Sequence, residues 1–513
     1  MTWNEQATQV IEDLLDYSIS YLLIEEIDRP YYRNLLLDAM SMDAPADMVH
    51  EKKAIPHTAT HLLQQLCNLR IKAGRMEDLV FERDLYSARI MGLLTPSPRE
   101  VRQCFNQHME AHHPERATED FYQMCKASDY IKVDAIAQNV RFFADTKYGK
   151  LEITINLSKP EKDPREIARL KNAPSVGYPK CMLCVENPGY AGRNNFPARQ
   201  NHRMIPLTLG GEQWYLQYSP YAYYDEHCIV LSSRHVPIQI GRGTFQRLFE
   251  FVDQFPHYMI GSNADLPIVG GSILTHDHFQ GGRYRFPMDQ AGTMTTYTDA
   301  HGFQARWLYW PMTALQISHQ DQNVLISEAE RILRFWRSYS DPACDILAFS
   351  GETPHNTITP ILRKNGEEYT LTLVLRNNRT SDDHPLGIFH PHAKLHPVKK
   401  ENIGLIEVMG LFILPGRLKT ETKAMVPYLT GEQQLSTIPE DSPLHKHVSM
   451  MKEMLHLYGH QPTPDDAIAC LRRQIATICG QVLEDAGVFK LDEHGKIGME
   501  RFMTGLGYTE SRT

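Results

Sequence analysis

Apolar residues Ile11, Leu14, Leu15, Ile19, Leu22 and Leu23 recur at helical spacing, with acids on the opposite face, and predict an amphipathic helix near the start of the chain. "HTATHLLQQLCNL" and "PREVRQCFNQHME" repeat that period, and "ATEDFYQMCKASDYI", with its acidic start, is read as helical too. The period then changes. In "KLEITINL" Leu151, Ile153, Ile155 and Leu157 alternate with polar positions, the signature of a strand. The next stretch, "SKPEKDPREIARLKNAPSVGYPK", holds four prolines and a dense mix of charge, which places a boundary within 158–180. Beyond it come short β-rich runs: "QWYLQYSPYAYY", "HCIVLSS", "PIVGGSIL", "YTLTLVLRN" and "IGLIEVMGLFIL". Helical patterns return in "PLHKHVSMMKEMLHLYG" and "DAIACLRRQIATICGQVLEDAG". The expected fold is therefore α+β. A mainly helical region covers 1–157, two β-rich segments cover 158–295 and 296–420, and a helical tail covers 421–513. "THDHFQ" (275–280) and "FHPHAK" (389–394) both carry His-x-His, which hints that the β-rich half is duplicated.

Composition narrows the function. At 513 residues the chain exceeds one ordinary core. Its formal charge of -9, without a basic tail or an arginine-rich face, argues against nucleic acid as the main partner. An anionic substrate would have to be held by local cations, backbone amides or a metal. The N-terminus lacks a signal pattern and no apolar run is long enough to span a bilayer, so no membrane is expected. Nine cysteines, an odd number, fit reduced thiols in the cytoplasm.

The chemistry concentrates in "GGSILTHDHFQGG", residues 270–282. If the preceding apolar run continues as a strand, His276, His278 and Gln280 share one face. Such a row could ligate a metal, or present one imidazole as a nucleophile beside an orienting neighbour and an amide donor. Gly270 and Gly271 would let a bulky ligand such as a phosphate approach the backbone. "CMLC" supplies Cys181 and Cys184, a metal half-site or a redox pair. Because the pair follows a proline- and glycine-containing linker, a metal knuckle is favoured, and His235 and His276 are candidates to complete it. His355, His390, His392 and His396 fall within about forty residues and could form a second metal or substrate site, or be scattered polar histidines among the 24 present. A Walker phosphate loop, a G-x-S-x-G elbow and the kinase motifs are all absent.

Together "CMLC", "SSRHVPI", "GSNADLPIVGGSILTHDHFQGG" and "FHPHAKLHP" resemble the galactose-1-phosphate uridylyltransferases, more narrowly their second class, within the histidine-triad superfamily. The resemblance implies a histidine-triad-like antiparallel sheet. It implies uridylyl exchange between UDP-glucose and galactose 1-phosphate, ping-pong through a uridylyl-histidine, as a step of galactose metabolism. His278 would be the nucleophile and Gln280 its phosphoryl-binding partner. Gly270, Gly271 and Ser272 would contact phosphate, Asn263 the nucleotide, and Arg283 would add positive potential. Structural zinc would sit on Cys181, Cys184, His235 and His276, and a second metal on His355, His390 and His392. The resemblance also implies a homodimer. This chain departs from the first-class motif in having Asp277 where that motif has proline, and it lacks a clear counterpart of the glutamate that completes the second metal site. A nucleotide-sugar or dinucleotide phosphorylase, and a non-catalytic zinc-stabilised nucleotide-binding protein, are the alternatives.

Overall fold

The computed structural model describes residues 1–158 and 176–511, so most of the proline-rich boundary segment lies outside the described residues. The chain forms two compact units, Met1–Gln138 with Ser158–His235, and Asn139–Leu157 with Val236–Thr513.

Helices dominate the first unit: α1 (Trp3–Ser20), α2 (Arg29–Met40), α3 (Thr60–Lys72), α4 (Val80–Leu94), α5 (Pro98–Glu110), α6 (Pro114–Ala127) and the short α7 (Val133–Ala137). Thr2 and Glu5 close a capping box at the start of α1, and Ser97 and Glu100 close one at α5, where Pro98 takes the first turn that needs no N–H. The apolar stripe of α1 does what its spacing predicts as far as Leu15, but Leu22 and Leu23 lie past the helix end, where Leu22 turns left-handed and is 87% exposed. Ile11, Leu14 and Leu15 are buried against Leu36, Leu62, Leu63, Leu66 and Ile90 from the neighbouring helices. Helices α5 and α6 form a hairpin in which the Phe105 and Phe121 rings meet edge-on at 6.3 Å. Phe121 in turn packs on Tyr218 at 5.2 Å. Tyr218 ends the middle strand of a three-stranded antiparallel meander formed by β3 (Ile205–Leu209), β4 (Glu212–Tyr218) and β5 (Cys228–Ser232).

The second unit carries the larger sheet. Strands β6 (Met259–Gly261), β7 (His278–Gly282), β8 (Thr293–Asp299), β9 (Gln304–Leu308), β10 (Ala314–His319), β13 (Asn356–Asn365), β14 (Glu368–Asn377) and β16 (Tyr508–Glu510) are ordered β16-β8-β9-β10-β14-β13-β6-β7, all antiparallel. Between them β11 (Phe349–Ser350) and β12 (Thr353–Pro354) make a two-stranded turn. Helices Arg242–Gln254 and Gln322–Ser338 pack on the sheet and bury Phe245, Leu248, Phe249, Leu325, Ile332 and Trp336. A separate three-stranded sheet joins β1 (Val140–Thr146) and β2 (Gly149–Asn156) to β15 (Leu411–Pro415), which runs parallel to β2. The helix Pro464–Ala486 packs against β1 and β2.

The α+β class, the large antiparallel sheet and helices at both ends agree with the pattern of the sequence. Two β-rich runs fold differently. "PIVGGSIL" is a turn and loop, because its apolar residues are buried by tertiary packing and not by a strand ladder: Val269 is covered and Gly270 is wedged under backbone carbonyls. "IGLIEVMGLFIL" begins as a helical turn, Leu405–Val408, capped by Glu407 on the Gly404 N–H at 3.2 Å. Only after Gly410, at φ +94°, does it become β15. Of the two His-x-His segments only the first meets a strand; the second lies in irregular chain ahead of a 3-10 turn at Ala393–Leu395.

Leu14→Ala should destabilise the helical bundle by about 2–5 kcal/mol, because a fully buried side chain leaves a cavity. Urea unfolding followed by circular dichroism reads the loss.

Candidate active site

His278 opens β7, and its neighbours set its chemistry. Its Nδ1 lies 2.7 Å from the carbonyl oxygen of His276. A carbonyl only accepts, so Nδ1 carries the proton and the lone pair is left on Nε2. The ring is 5% exposed, and burial pushes its pKa down to about 4, so the imidazole is neutral at physiological pH. A neutral, oriented imidazole with its lone pair on a defined nitrogen is a nucleophile that needs no base. On the strand, Gln280 follows two residues on and shares the His278 face, while Phe279 turns the other way and is buried. Gln280 faces Gly261 of β6 across the ladder. A Cβ at Gly261 would stand 2.8 Å from the Pro360 carbonyl, so only glycine lets β6 pass there. Asp277 is not on the reactive face; it reaches Arg247 of the helix Arg242–Gln254 at 3.8 Å and fastens the turn to that helix.

Between β6 and β7 runs a loop hung from distant parts of the unit. Asn263 is 4% exposed, and its Oδ1 accepts the Leu405 N–H at 2.9 Å. The Asp265 carboxylate accepts from the Thr357 hydroxyl and, at 2.9 Å, from the Ile240 N–H. Asn378 donates to the Pro267 carbonyl at 3.2 Å. These ties hold Ile268 at φ +72°, a left-handed conformation costly for a β-branched residue. They also press the backbone together at the two glycines. A Cβ at Gly270 would lie 2.7 Å from the Ala264 and Leu266 carbonyls, and one at Gly271 only 2.3 Å from Asn263 Nδ2. Ser272 and Arg283 are exposed on either side of the His276–Gly282 segment. Burial, helped by the nearby Arg283 charge, lowers the pKa of His257 to about 4, so that ring adds no positive charge of its own. Asn263 thus turns inward and carries the loop that displays Gly271 and Ser272.

In the first unit Cys181 and Cys184 form a knuckle. The Cys184 N–H donates to the Cys181 carbonyl at 3.2 Å, and the buried Asn187 amide donates to both the Cys181 and Cys184 carbonyls, at 3.0 and 2.7 Å. The two sulfurs are 3.6 Å apart, and Cys184 Sγ is 3.2 Å from His235 Nδ1. Burial pushes the Cys181 thiol up to about 11. Three soft or borderline donors converging on a pinned knuckle fit zinc. In the second unit His276 is buried just ahead of β7, its turn held by the Asp277 N–H on the Val236 carbonyl at 2.7 Å.

His355, His390 and His392 do not converge; the metal-like groupings among the described residues contain none of them. His355 is held by Asn378 Oδ1 and Ser350 Oγ, both at 2.8 Å. His390 is 3.3 Å from Asn402 Oδ1, His392 Nε2 is 3.1 Å from the Ile388 carbonyl, and His396 bonds the Pro391 carbonyl at 2.8 Å. His355 therefore orients Asn378, and through it Pro267 and the glycine loop. Asn187, Asp265 and Asn378 were not singled out in the sequence. The one signal for Asn378 is the polar end, Arg376-Asn377-Asn378, of an otherwise apolar strand.

Asn263→Ala should cost about 1–3 kcal/mol of stability by stranding the buried Leu405 N–H, and should lower kcat/KM more than the fold loss explains. Gly271→Ala should lower activity through the same displacement, since the new Cβ must expel Asn263. Denaturant unfolding beside steady-state kinetics separates the two effects.

Residues 24–237 match the family of galactose-1-phosphate uridyl transferase, N-terminal domain, and residues 250–441 match its C-terminal domain. The chain is 49% identical over 507 residues to a galactose-1-phosphate uridylyltransferase of Caldanaerobacter subterraneus subsp. tengcongensis, spanning 97% of this chain and 98% of that one. It is 44% identical to the Bacillus subtilis enzyme of that name, over 97% of both chains. A crystal structure of yeast Ap4A phosphorylase in complex with AMP is similar at 12% identity and TM-score 0.33, covering 63% of this chain and 92% of that one.

Proposed function

The chain belongs to the galactose-1-phosphate uridyl transferase family, and on that premise we propose that it transfers uridylyl from UDP-glucose to galactose 1-phosphate through a covalent uridylyl-histidine at His278. The observation that carries the mechanism is the hydrogen bond that His278 Nδ1–H donates to the His276 carbonyl. It leaves the Nε2 lone pair to attack the α-phosphorus of UDP-glucose; an N–P bond forms, the P–O bond to the β-phosphate breaks, and glucose 1-phosphate leaves as an anion with no proton to collect. A phosphate oxygen of galactose 1-phosphate then attacks the same phosphorus from the vacated position, which gives UDP-galactose and restores the imidazole.

Charge grows on the non-bridging oxygens in both steps. Gln280, on the His278 face of β7, is the side-chain donor for them, and the backbone of Gly271 and Ser272, held by the buried Gly270 behind it, is the floor for the diphosphate. The exposed Arg283 supplies positive potential at the mouth, which suits an anionic substrate on a chain of formal charge -9. Asn263 acts through the loop that it holds and does not touch nucleotide. The ordering of this loop also favours transfer over hydrolysis, since the intermediate survives only where water is kept from the phosphorus.

We assign zinc to Cys181, Cys184 and His235, with His276 as the fourth donor. The Asp277 N–H on the Val236 carbonyl supports that assignment, because it ties the residues that directly follow His276 and His235 in the chain. Four protein donors leave a tetrahedral ion no open position, so zinc would fix the strand end that carries the nucleophile and take no chemical part. The second metal is not part of the proposal. A homodimer in the cytoplasm completes the reading; among the described residues no helix is long and apolar enough to cross a membrane.

Incubation with UDP-glucose labelled in the α-phosphate should label the parent protein and release equimolar glucose 1-phosphate. His278→Ala should take up no label, and galactose 1-phosphate should discharge the parent's label into UDP-galactose. Release of UDP by orthophosphate, without transfer to a sugar phosphate, would instead establish a phosphorylase. Gln280→Ala should slow transfer by about 10²–10³-fold while UDP-glucose still binds. Elemental analysis should find zinc, and its removal by a chelator should lower stability by about 3–4 kcal/mol, read by thermal unfolding.

A further inference from the structure

We propose that Cys104, His108 and Asp120 form a separate metal site on the α5–α6 hairpin that takes one thiophilic divalent cation of the zinc class. Cys104 and His108 are one helical turn apart on α5, the i,i+4 spacing that puts two side chains side by side. Asp120 reaches them from α6. One ligand atom from each lies within 4.8 Å of the others, and His108 Nε2 is 3.0 Å from Asp120 Oδ2. A thiol, an imidazole and a carboxylate at that spacing offer three corners of a tetrahedron, with the fourth left to water, the donor count of an open zinc site.

The hairpin holds these groups in place from beneath. Phe105 and Phe121, adjacent in sequence to Cys104 and Asp120, are buried and packed edge-on. The three donors face outward from that contact, with Cys104 exposed and the His108 and Asp120 side chains each about a third open. The position now has an organic cation beside it: Arg116 Nε is 2.9 Å from Asp120 Oδ1 and 3.0 Å from Oδ2. The Arg116 side chain is 60% exposed, so it can leave for solvent when a metal claims the carboxylate. Burial, helped by the Asp120 charge, holds the Cys104 thiol above its ordinary value, so the entering cation displaces the thiol proton and a sulfur–metal bond forms as that proton goes to water. None of the three residues belongs to the proposed catalytic machinery, and the site lies wholly within the first unit.

The test is a titration of the full-length, zinc-replete protein with cobalt(II), followed by the thiolate-to-cobalt charge-transfer absorption. The parent should bind one cobalt more than Cys104→Ser, which should lose the absorption belonging to this site whatever the state of the Cys181–Cys184 knuckle. His108→Ala should weaken that binding at least tenfold, and Arg116→Ala should tighten it by removing the competing cation. Equal cobalt uptake and equal absorption in the parent and Cys104→Ser would overturn the proposal, as would weaker binding in Arg116→Ala. Circular dichroism of each variant ensures that a lost signal is not a lost fold.

Discussion

Everything at the site turns on one main-chain acceptor. The His276 carbonyl decides which nitrogen of His278 bears the proton, and with it which nitrogen would bond to phosphorus in the proposed transfer. A carboxylate in that place would also orient the ring, but it would bring a negative charge toward an anionic substrate. A carbonyl orients without that repulsion, and its dipole still favours the cationic imidazole of the covalent state. Burial acts the other way and outweighs it in the resting protein, where it disfavours a charged ring. The carbonyl can do this only if the chain at 274–277 is immobile. The Ile238 N–H on the Leu274 carbonyl, the Asp277 N–H on the Val236 carbonyl, the Arg247 contact and the proposed zinc all act on that short turn.

A second layer of support belongs to the loop ahead of it. The segment 263–271 has no ladder of its own and is apolar in large part, yet it is held as firmly as a strand by polar groups at its rim. Asn263, Asp265 and the Pro267 carbonyl each find a partner on a different element. The left-handed Ile268 is the visible strain of that arrangement. His355 takes part at one remove, through Asn378, so its ring is used for hydrogen bonding on both nitrogens.

Much of this was legible in the sequence. The spacing of Ile11, Leu14 and Leu15 gave α1, the alternation of "KLEITINL" gave β2, and His278 and Gln280 were found on one strand face as the motif required. Cys181, Cys184 and His235 came together as the knuckle reading needed. What sequence reasoning missed shares a physical cause. "PIVGGSIL" has strand composition, but composition cannot reveal that its backbone partners are side chains such as Asn378, over a hundred residues away. Likewise His390 and His392 look alike in the chain but have different partners, Asn402 for one and the Ile388 carbonyl for the other. The resemblance implied Asn263 as a nucleotide contact; its Oδ1 accepts the Leu405 N–H, a partner the sequence alone did not suggest.

The fastening of the glycine loop has a consequence for biosynthesis. The loop and the His278 segment are made first, at residues 263–278, whereas Leu405, whose N–H donates to Asn263 Oδ1, emerges more than a hundred residues later. A ribosome that has delivered His278 has therefore delivered that ring without the hydrogen bond that fixes the loop ahead of it. The arrangement of 263–271 is therefore completed only once the C-terminal part of the chain has been made and folded.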